Sequence, residues 1–357
     1  MTVALSFVGG LALLIVGAEL LVRGAARIAT AFRVSPLIIG LTVVAFATSS
    51  PELAVSAGSA LAGQPDIALG NVVGSTIANI LLILGLSSLV VPLVVKSQLV
   101  RFDVPVMIGA AVLVLILGLD GVIGTLDAVA LTACVIAYVI YLIRSSRAEG
   151  AEHAAGFDEE YGDGPSTPFR DILAVLAGIG MLVVGSRLLL GASVAVAERL
   201  GISELVIGLT LIALGTSLPE IATSILAAVR GQRDIAVGNA VGSNVFNLLA
   251  VLGVSGIVAP GGIPVARGAL DFDIPVMITV TVACLPIFFT GHLIARWEGA
   301  LFLAYYVAYT TYLLLDAAGH DALAPFSTTM LWFVVPLTVV TLVGTVISTI
   351  RDPDNHS

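Results

Sequence analysis

Two glutamates at equivalent places in two similar segments are the residues of this chain best suited to chemistry. Glu52 follows Pro51 in the run FATSSPELA, and Glu220 follows Pro219 in the run LGTSLPEIA. Both runs lie inside long apolar stretches, where an ionisable side chain costs roughly 2.5–3.5 kcal/mol on insertion scales. No lysine or arginine stands at the same depth in either run. The predicted partner of the two carboxylates is therefore a cation from solution.

The residues just before each glutamate add further oxygen atoms. Thr48 and Ser49 precede the first glutamate, and Thr216 and Ser217 precede the second. A proline in a helix also frees a backbone carbonyl one turn earlier, which a membrane tolerates where that carbonyl lines a cavity. Such hard oxygen ligands favour calcium or sodium over zinc or copper. A proline kink alone is more typical of helix packing, but its repetition with the same neighbours favours an ion site.

The motifs GNVVGSTIAN and GNAVGSNVFN bring polar side chains into two further apolar runs. In each motif a serine and an asparagine lie four residues apart and share one helix face; the pairs are Ser75 with Asn79, and Ser243 with Asn247. They could bind an ion or form hydrogen bonds between helices.

Small and polar residues of the same motifs have a second interpretation. Glycines at this spacing often mediate close helix packing, which applies to Gly74 and Gly242. Helix capping is the predicted role of the polar residues near the start of these runs. These residues are Asp66, Asn71, Asp234 and Asn239.

The elements that must position these residues are membrane helices. Of the 357 residues, 58% are hydrophobic and 11% are charged, against about 25% charged in soluble domains. Runs of about 20 apolar residues match a hydrocarbon core about 30 Å thick. The composition excludes a soluble globular protein and predicts an all-α polytopic membrane protein with eleven spans. They lie near residues 3–29, 37–62, 68–94, 103–119, 123–143, 170–198, 205–229, 236–259, 273–290, 297–316 and 326–350.

The two glutamate segments belong to an internal duplication. Aligned from Gly40 and Gly208, they match at 27 of 51 positions, including polar ones. Equivalent positions are five spans apart, and this odd number predicts two inverted five-helix repeats. The predicted units are 1–143 (first repeat), 144–169 (acidic cytoplasmic loop), 170–316 (second, inverted repeat) and 317–357 (an extra C-terminal helix and tail). Because Glu19 of the first span aligns with Arg187 of the sixth, the sequence also predicts a contact between them.

Charge restricts partners and orientation. The net charge of −9 leaves no basic patch for nucleic acid, and the acids between residues 144 and 171 are typical of a solvated loop. Arginine and lysine collect on one side of the predicted spans, so the positive-inside rule places the N-terminus outside and the C-terminus in the cytoplasm. The predicted location is the cell membrane.

The paired motifs resemble the two alpha repeats of the sodium/calcium exchanger family, within the cation/calcium antiporter superfamily. The resemblance covers residues 1 to about 316 and implies a ten-helix core with four ion sites at mid-membrane. It also implies that the first and sixth helices slide across this core to expose it alternately. Carried over by position, the implied ligands of Ca²⁺ and Na⁺ are Glu52 and Glu220, the hydroxyls or carbonyls of Thr48, Ser49, Thr216 and Ser217, the carbonyls of Ala45 and Ala213, and Ser75, Asn79 and Ser243.

Two departures from that family accompany the resemblance. Familiar exchangers carry an aspartate where this chain has Asn247, so the site offers a charge of −2 from its glutamates instead of −3. One calcium or two sodium ions neutralise this charge, whereas a third sodium leaves the site at +1. The chain also has no large insertion between the fifth and sixth spans, as in prokaryotic exchangers without a regulatory domain.

The predicted function is a secondary antiporter that exchanges Ca²⁺ for Na⁺ by alternating access. A proton/calcium antiporter of the same fold is the first alternative, because a buried glutamate can carry a proton. A cation channel is a second alternative, which the broken-helix inverted repeat disfavours. An enzyme is not predicted, since neither a Ser/His pair nor an HExxH motif occurs. No cofactor is expected, and the expected partners are the two ions and the bilayer.

Overall fold

A computed structural model describes residues 2–32, 34–149, 168–200, 213–289 and 292–351, most of them helical. Most of the predicted acidic loop and the start of the predicted seventh span lie outside these residues. The helices of the first half are α1 (Thr2–Phe32), α2 (Pro36–Thr48), α3 (Ser50–Leu61), α4 (Asp66–Val90), α5 (Leu99–Gly118) and α6 (Thr125–Glu149). Those of the second half are α7 (Pro168–Arg199), α8 (Ala213–Gly215), α9 (Leu218–Val229), α10 (Arg233–Val258), α11 (Ala269–Phe289) and α12 (Arg296–Ala317), followed by α13 (323–351).

The predicted spans correspond to these helices. Within the described residues, nine helices are long and apolar enough to cross a membrane, and the bent pair α2–α3 makes a tenth. The described part of the predicted seventh span consists of α8 and α9. The all-α polytopic prediction is therefore confirmed, with helix ends within a few residues of the predicted ones in most cases.

The first helix of each half shows directly how the halves are related. A Cβ added to Gly10 would lie 2.8 Å from the Gly185 carbonyl oxygen, and one added to Gly17 would lie 2.9 Å from that of Gly178. As the number rises along α1 it falls along α7, so the two helices cross antiparallel. Because Gly10 aligns with Gly178 and Gly17 with Gly185, the contacts interchange when the repeats are exchanged. This is the signature of a two-fold axis between inverted repeats.

The same antiparallel crossing overturns one prediction. The described ion pairs place Glu19 against Arg23 and Arg230 and not against Arg187. Gly10 lies opposite Gly185 and Gly17 lies opposite Gly178, so the numbers of opposed residues add up to 195. Glu19 therefore lies opposite residue 176. Arg187 is eleven residues from the position opposite Glu19, about 16 Å at 1.5 Å per residue. Equivalent residues of inverted repeats lie toward opposite ends of this helix pair.

Among the described residues, four two-residue strands that the apolar runs did not predict connect the two halves. Strands β1 (Leu93–Val94) and β4 (Leu293–Ile294) pair antiparallel, as do β2 (Val122–Ile123) and β3 (Ile263–Pro264). Each pair joins a connection of one repeat to a connection of the other. The connections after α4 and α5 lie at opposite ends of the spans, so one strand pair lies at each end of the molecule.

The centre of the fold is formed by α4 and α10. In the most apolar 18-residue stretch of each of these helices, 72% of the residues of α4 and 78% of those of α10 are buried. The corresponding share is 6% for α12 and zero for the candidate span within α13. Both central helices contain a π-helical segment, Asn79–Leu84 and Phe246–Val251, a feature that is frequent at functional sites. The GNVVGSTIAN and GNAVGSNVFN motifs therefore lie in the most enclosed part of the protein.

Candidate ion-binding site

The TSxPE segments are helix breaks, and the prolines begin new helices. Between α2 and α3 the chain bends by 43°, with Ser49 at φ −79° and ψ 2°. Ser217, between α8 and α9, has φ −86° and ψ 4°. Pro51 and Pro219 stand in the first turn of the next helix, where a missing N–H costs nothing. The glutamate that follows each proline lies in the same first turn, where the helix dipole favours a negative charge.

Each glutamate is bonded to the break of the other repeat. Ser217 donates from Oγ to Glu52 Oε1 at 3.3 Å, and Ser49 donates to Glu220 Oε1 at the same distance. Glu52 and Glu220 are 0% and 1% exposed. These reciprocal bonds bring the two predicted central carboxylates and the two serines into one site at the interface of the repeats.

The other oxygen of each carboxylate has no protein partner in the described structure. Glu52 Oε2 and Glu220 Oε2 are buried and accept no hydrogen bond there. The four ion pairs of the described residues involve other acids. Burying a carboxylate without a counter-charge is costly, so this arrangement is suited to a cation that enters between the two glutamates.

The polar residues of α4 and α10 add further unsatisfied atoms. Within the described part of the chain, no hydrogen-bond partner is found for Ser75 Oγ, for Asn79 Oδ1, or for either side-chain polar atom of Asn247. The Asn79 amide group donates to Asn244 Oδ1 at 2.9 Å, which links the two central helices. Ser75, Asn79 and Asn247 are 3%, 1% and 0% exposed, so bulk water does not satisfy them.

The remaining predicted ligands are partly engaged. Thr48 Oγ1 lies 3.4 Å from Ser243 Oγ, which brings these two predicted ligands together. The shorter contact of the Thr48 hydroxyl, at 3.0 Å, is to Asn239 Oδ1, and the Ala45 carbonyl oxygen lies farther away at 3.3 Å. The Ser49 N–H donates to the Ala45 carbonyl at 3.0 Å. Because a carbonyl oxygen has two lone pairs, the Ala45 oxygen keeps acceptor capacity beside the Ser49 bond. Ala213 begins α8, at the edge of the described residues.

Two asparagines that were predicted to cap helices do not cap them. Asn71 and Asn239 lie in the second turn of α4 and α10, one turn before Ser75 and Ser243, and their amides contact the broken helices. Their closeness to the helix start favoured capping in the sequence, although their spacing of four residues from a predicted ligand was a signal for the site face. Asp234, the third predicted cap, is paired with Lys96 at 2.6 Å.

The glycines of the two motifs have different surroundings. A Cβ on Gly242 would lie 2.7 Å from the Leu41 carbonyl oxygen and 2.8 Å from Ala45 Cβ. Gly242 thus permits α10 to pack directly against α2. For Gly74 no described atom lies within 4 Å of such a Cβ, so close packing at this glycine is not seen in the described residues.

A cavity of about 520 Å³ reaches one side of this site. Its lining includes Ser75 and Thr216 together with two acids, Asp66 and Asp273. The cavity therefore connects two of the predicted ligands with the Asp66 end of α4, and its carboxylates favour cations over anions.

The site as a whole is an oxygen-rich, negatively charged enclosure. It combines two carboxylates with hydroxyl and amide oxygens, as Ca²⁺ requires with its six to eight oxygen ligands. The described residues contain no cluster of three or more His, Cys, Asp or Glu side chains of the kind that holds a resident metal. The arrangement can bind hard cations between two inverted halves.

Comparison with known proteins establishes the family. The model of the family described as sodium/calcium exchanger protein matches residues 2–146 and 171–315, one segment in each half of the chain. The chain therefore belongs to the sodium/calcium exchanger family, which is a family of transporters.

Individual relatives match along nearly their whole length. The chain is 37% identical over 312 residues to the putative antiporter CaxA of Alkalimonas amylolytica, covering 86% of this chain and 97% of the relative. It is 34% identical over 337 residues to the sodium/calcium exchanger MaX1 of Methanosarcina acetivorans, covering 84% and 95%. The solved sodium/calcium exchanger from Methanococcus jannaschii superposes with a TM-score of 0.75 at 31% identity, covering 87% of this chain and 98% of that one. The ten-helix core is thus shared, and the whole of α13 lies beyond residue 315, where the family match ends.

Proposed function

We propose that this protein exchanges Ca²⁺ for Na⁺ across the membrane by alternating access to a single mid-membrane site. The observation that carries the proposal is the pair of buried glutamates, Glu52 and Glu220. Each accepts a hydrogen bond from a serine of the other repeat and has its second oxygen free for a cation. The names of the relatives from M. acetivorans and M. jannaschii agree with this cation pair.

Exchange follows from the charge of the site. Both ions need the same two carboxylates, so a bound Ca²⁺ excludes Na⁺. An enclosure with two uncompensated negative charges resists closure in a low-dielectric setting, whereas a loaded one does not. Only loaded forms therefore change their orientation, and this couples the two fluxes.

The proposed ligands are those named from the sequence. Glu52 and Glu220 are the central ligands, and the hydroxyl, carbonyl and amide oxygens around them complete the coordination of the four ion sites.

The two repeats, 1–143 and 170–316, form the transport unit, and the acidic loop 144–169 joins them. The N-terminus lies outside and the C-terminus in the cytoplasm, so cations enter the 520 Å³ cavity from outside.

The test is calcium uptake into proteoliposomes that are loaded with sodium. Uptake that depends on the outward sodium gradient is expected from the wild type, and Glu52→Gln and Glu220→Gln are each expected to abolish it. Glu298→Gln is the matched control, because Glu298 is also buried but accepts from the Ala295 N–H at 2.8 Å at the start of α12. Absence of sodium-driven uptake in the wild type, or unchanged uptake in both glutamine variants, would overturn the proposal.

Two alternatives are separated by the same preparation. A proton/calcium antiporter takes up calcium along a pH gradient in sodium-free buffer. A channel conducts each cation down its own gradient. The two fluxes are then not coupled to each other, and their rates exceed those of carriers. The proposed exchanger shows neither behaviour.

A further inference from the structure

Two asparagines outside the proposed ligand set connect the halves of the site. Asn71 on α4 and Asn239 on α10 occupy equivalent positions in the two repeats. Each lies one turn before a proposed ligand, Ser75 or Ser243, on the same face of its helix. Asn239 is fully buried.

The side-chain amide of Asn239 bridges a helix of each repeat. Its Nδ2 donates to Ser224 Oγ at 2.9 Å, and Ser224 lies one turn after Glu220 on α9. Its Oδ1 accepts from Thr48 Oγ1 of the first repeat at 3.0 Å. With Nδ2 directed to the serine, Oδ1 faces Thr48 and accepts the threonine proton.

Asn71 repeats this arrangement with the halves exchanged. Its Nδ2 donates to Ser56 Oγ at 2.9 Å and to the Glu52 carbonyl at 3.3 Å. Its Oδ1 accepts from Thr216 Oγ1 at 3.5 Å, which is at the limit of hydrogen-bond distance. The bond to Thr216 is therefore weaker than the corresponding bond to Thr48.

A threonine hydroxyl needs such an acceptor if it is to bind a cation. Its oxygen binds the cation through a lone pair, so its single proton must point elsewhere. We infer that Asn71 and Asn239 are positioning residues that take the protons of Thr216 and Thr48 and thereby hold the lone pairs of these hydroxyls toward the transported cation. This inference rests on the proposed function, in which both threonines are ligands.

The inference is tested by a double-mutant cycle on calcium transport. Asn239→Ala is expected to raise the half-saturating calcium concentration by about five- to tenfold, the equivalent of one lost hydrogen bond to the site, with turnover within about twofold. Thr48→Val is expected to have an equal or larger effect. In the double variant Asn239→Ala should add nothing beyond Thr48→Val, because the asparagine acts through that threonine. Multiplication of the two effects would overturn the inference.

Further variants keep the test decisive. Ser224→Ala removes the partner that orients the Asn239 amide, so it should raise the half-saturating concentration by a smaller factor, and this effect should also vanish in the Thr48→Val background. Ser224→Ala removes only one hydroxyl group, so it can replace Asn239→Ala in the test if that variant is poorly produced. Asn71→Ala should act more weakly than Asn239→Ala, in line with the longer 3.5 Å contact.

The control is Ser88→Ala, which removes a buried hydroxyl that donates to the Leu84 carbonyl of its own helix at 2.7 Å. It should leave the half-saturating concentration unchanged. A merely structural role for Asn239 would lower the amount of folded protein or the turnover with no change in that concentration, and this would overturn the inference. Failure of the wild type to couple calcium to sodium would instead overturn the proposed function.

Discussion

Arg230 forms a two-point ion pair with Glu19, with Nη2 at 2.8 Å from Oε1 and Nε donating to Oε2 at 3.0 Å. Arg230 directly follows α9, and Glu19 lies on α1, so the pair ties a helix proposed to slide to the helix that carries Glu220. The repeat offers no counterpart, because the equivalent residues are Arg187 and Ala62. Successive spans run in opposite directions, and counting them along the chain places all four ion pairs of the described residues at the same end of the spans.

This one-sided pair predicts an unequal balance between the two orientations of the transporter. Arg230→Ala should shift that balance by up to about fivefold, since exposed pairs contribute about 0.2–1 kcal/mol, and high salt should mimic it. Apparent calcium affinity, measured separately at the two faces, should change in opposite directions. Arg233→Ala is the matched control, and equal changes at both faces would contradict the prediction.

The converse change builds the missing pair at the other end. Combining Ala62→Arg with Arg187→Glu places opposite charges at the equivalent positions. Exchanging the repeats interchanges the two orientations, so the new pair stabilises the orientation that the Glu19–Arg230 pair disfavours. The shift in the two apparent affinities should therefore have the same sign as that of Arg230→Ala. No shift in the double variant would show that the original pair does not set the balance.

The α1–α7 crossing predicts a strong position dependence among glycines of one helix. Gly17→Ala should lower the free energy of unfolding by about 1–3 kcal/mol through overpacking, because its new Cβ would lie 2.9 Å from a backbone oxygen. Gly9→Ala is the control, since no described atom lies within 4 Å of its Cβ. Thermal unfolding in detergent measures both, and equal melting temperatures for the two variants would contradict the close crossing.

The unsatisfied Asn247 amide predicts a gain of function. Asn247→Asp adds a third carboxylate, and we expect calcium affinity to rise by about tenfold or more, as for a charge-assisted contact. Asn79→Asp should gain less, because it sacrifices the 2.9 Å bond to Asn244. Calcium titration of both proteins checks the order, and a larger gain from Asn79→Asp would contradict it. The net charge moved per cycle in each variant then reports the coupling ratio.

Two equivalent Tyr–Asp pairs predict unequal costs of the same mutation. Tyr138 donates to Asp103 Oδ1 and Tyr309 to Asp273 Oδ1, both at 3.0 Å. Asp103 is fully buried, whereas Asp273 lines the 520 Å³ cavity. Tyr138→Phe should therefore cost about 1–3 kcal/mol of stability, and Tyr309→Phe should cost less because water can replace the lost donor. Chemical unfolding of the two variants provides the measurement, and equal costs would contradict the assignment.

The site was predictable from the sequence to the extent that the duplication marks it. Glu52 and Glu220 stand out because carboxylates are rare in apolar runs and recur here with the same neighbours. The roles of Asn71 and Asn239 were not predictable, because nearness to a helix start is a local property and their contacts lie on other helices. The Glu19–Arg187 contact was wrong for a related reason, since alignment identifies equivalent residues and not neighbours.

The sequence by itself determined the membrane setting, the two inverted repeats and the family, because hydropathy, span parity and motif spacing are properties of the chain alone. Only the tertiary structure decided that Ser49 bonds to Glu220 and Ser217 to Glu52, that α1 lies against α9 through Arg230, and which polar atoms are left for a cation. These contacts arise where helices of opposite repeats meet, more than 160 residues apart in sequence. Burial then fixes which oxygen atoms are satisfied by protein and which remain for an ion.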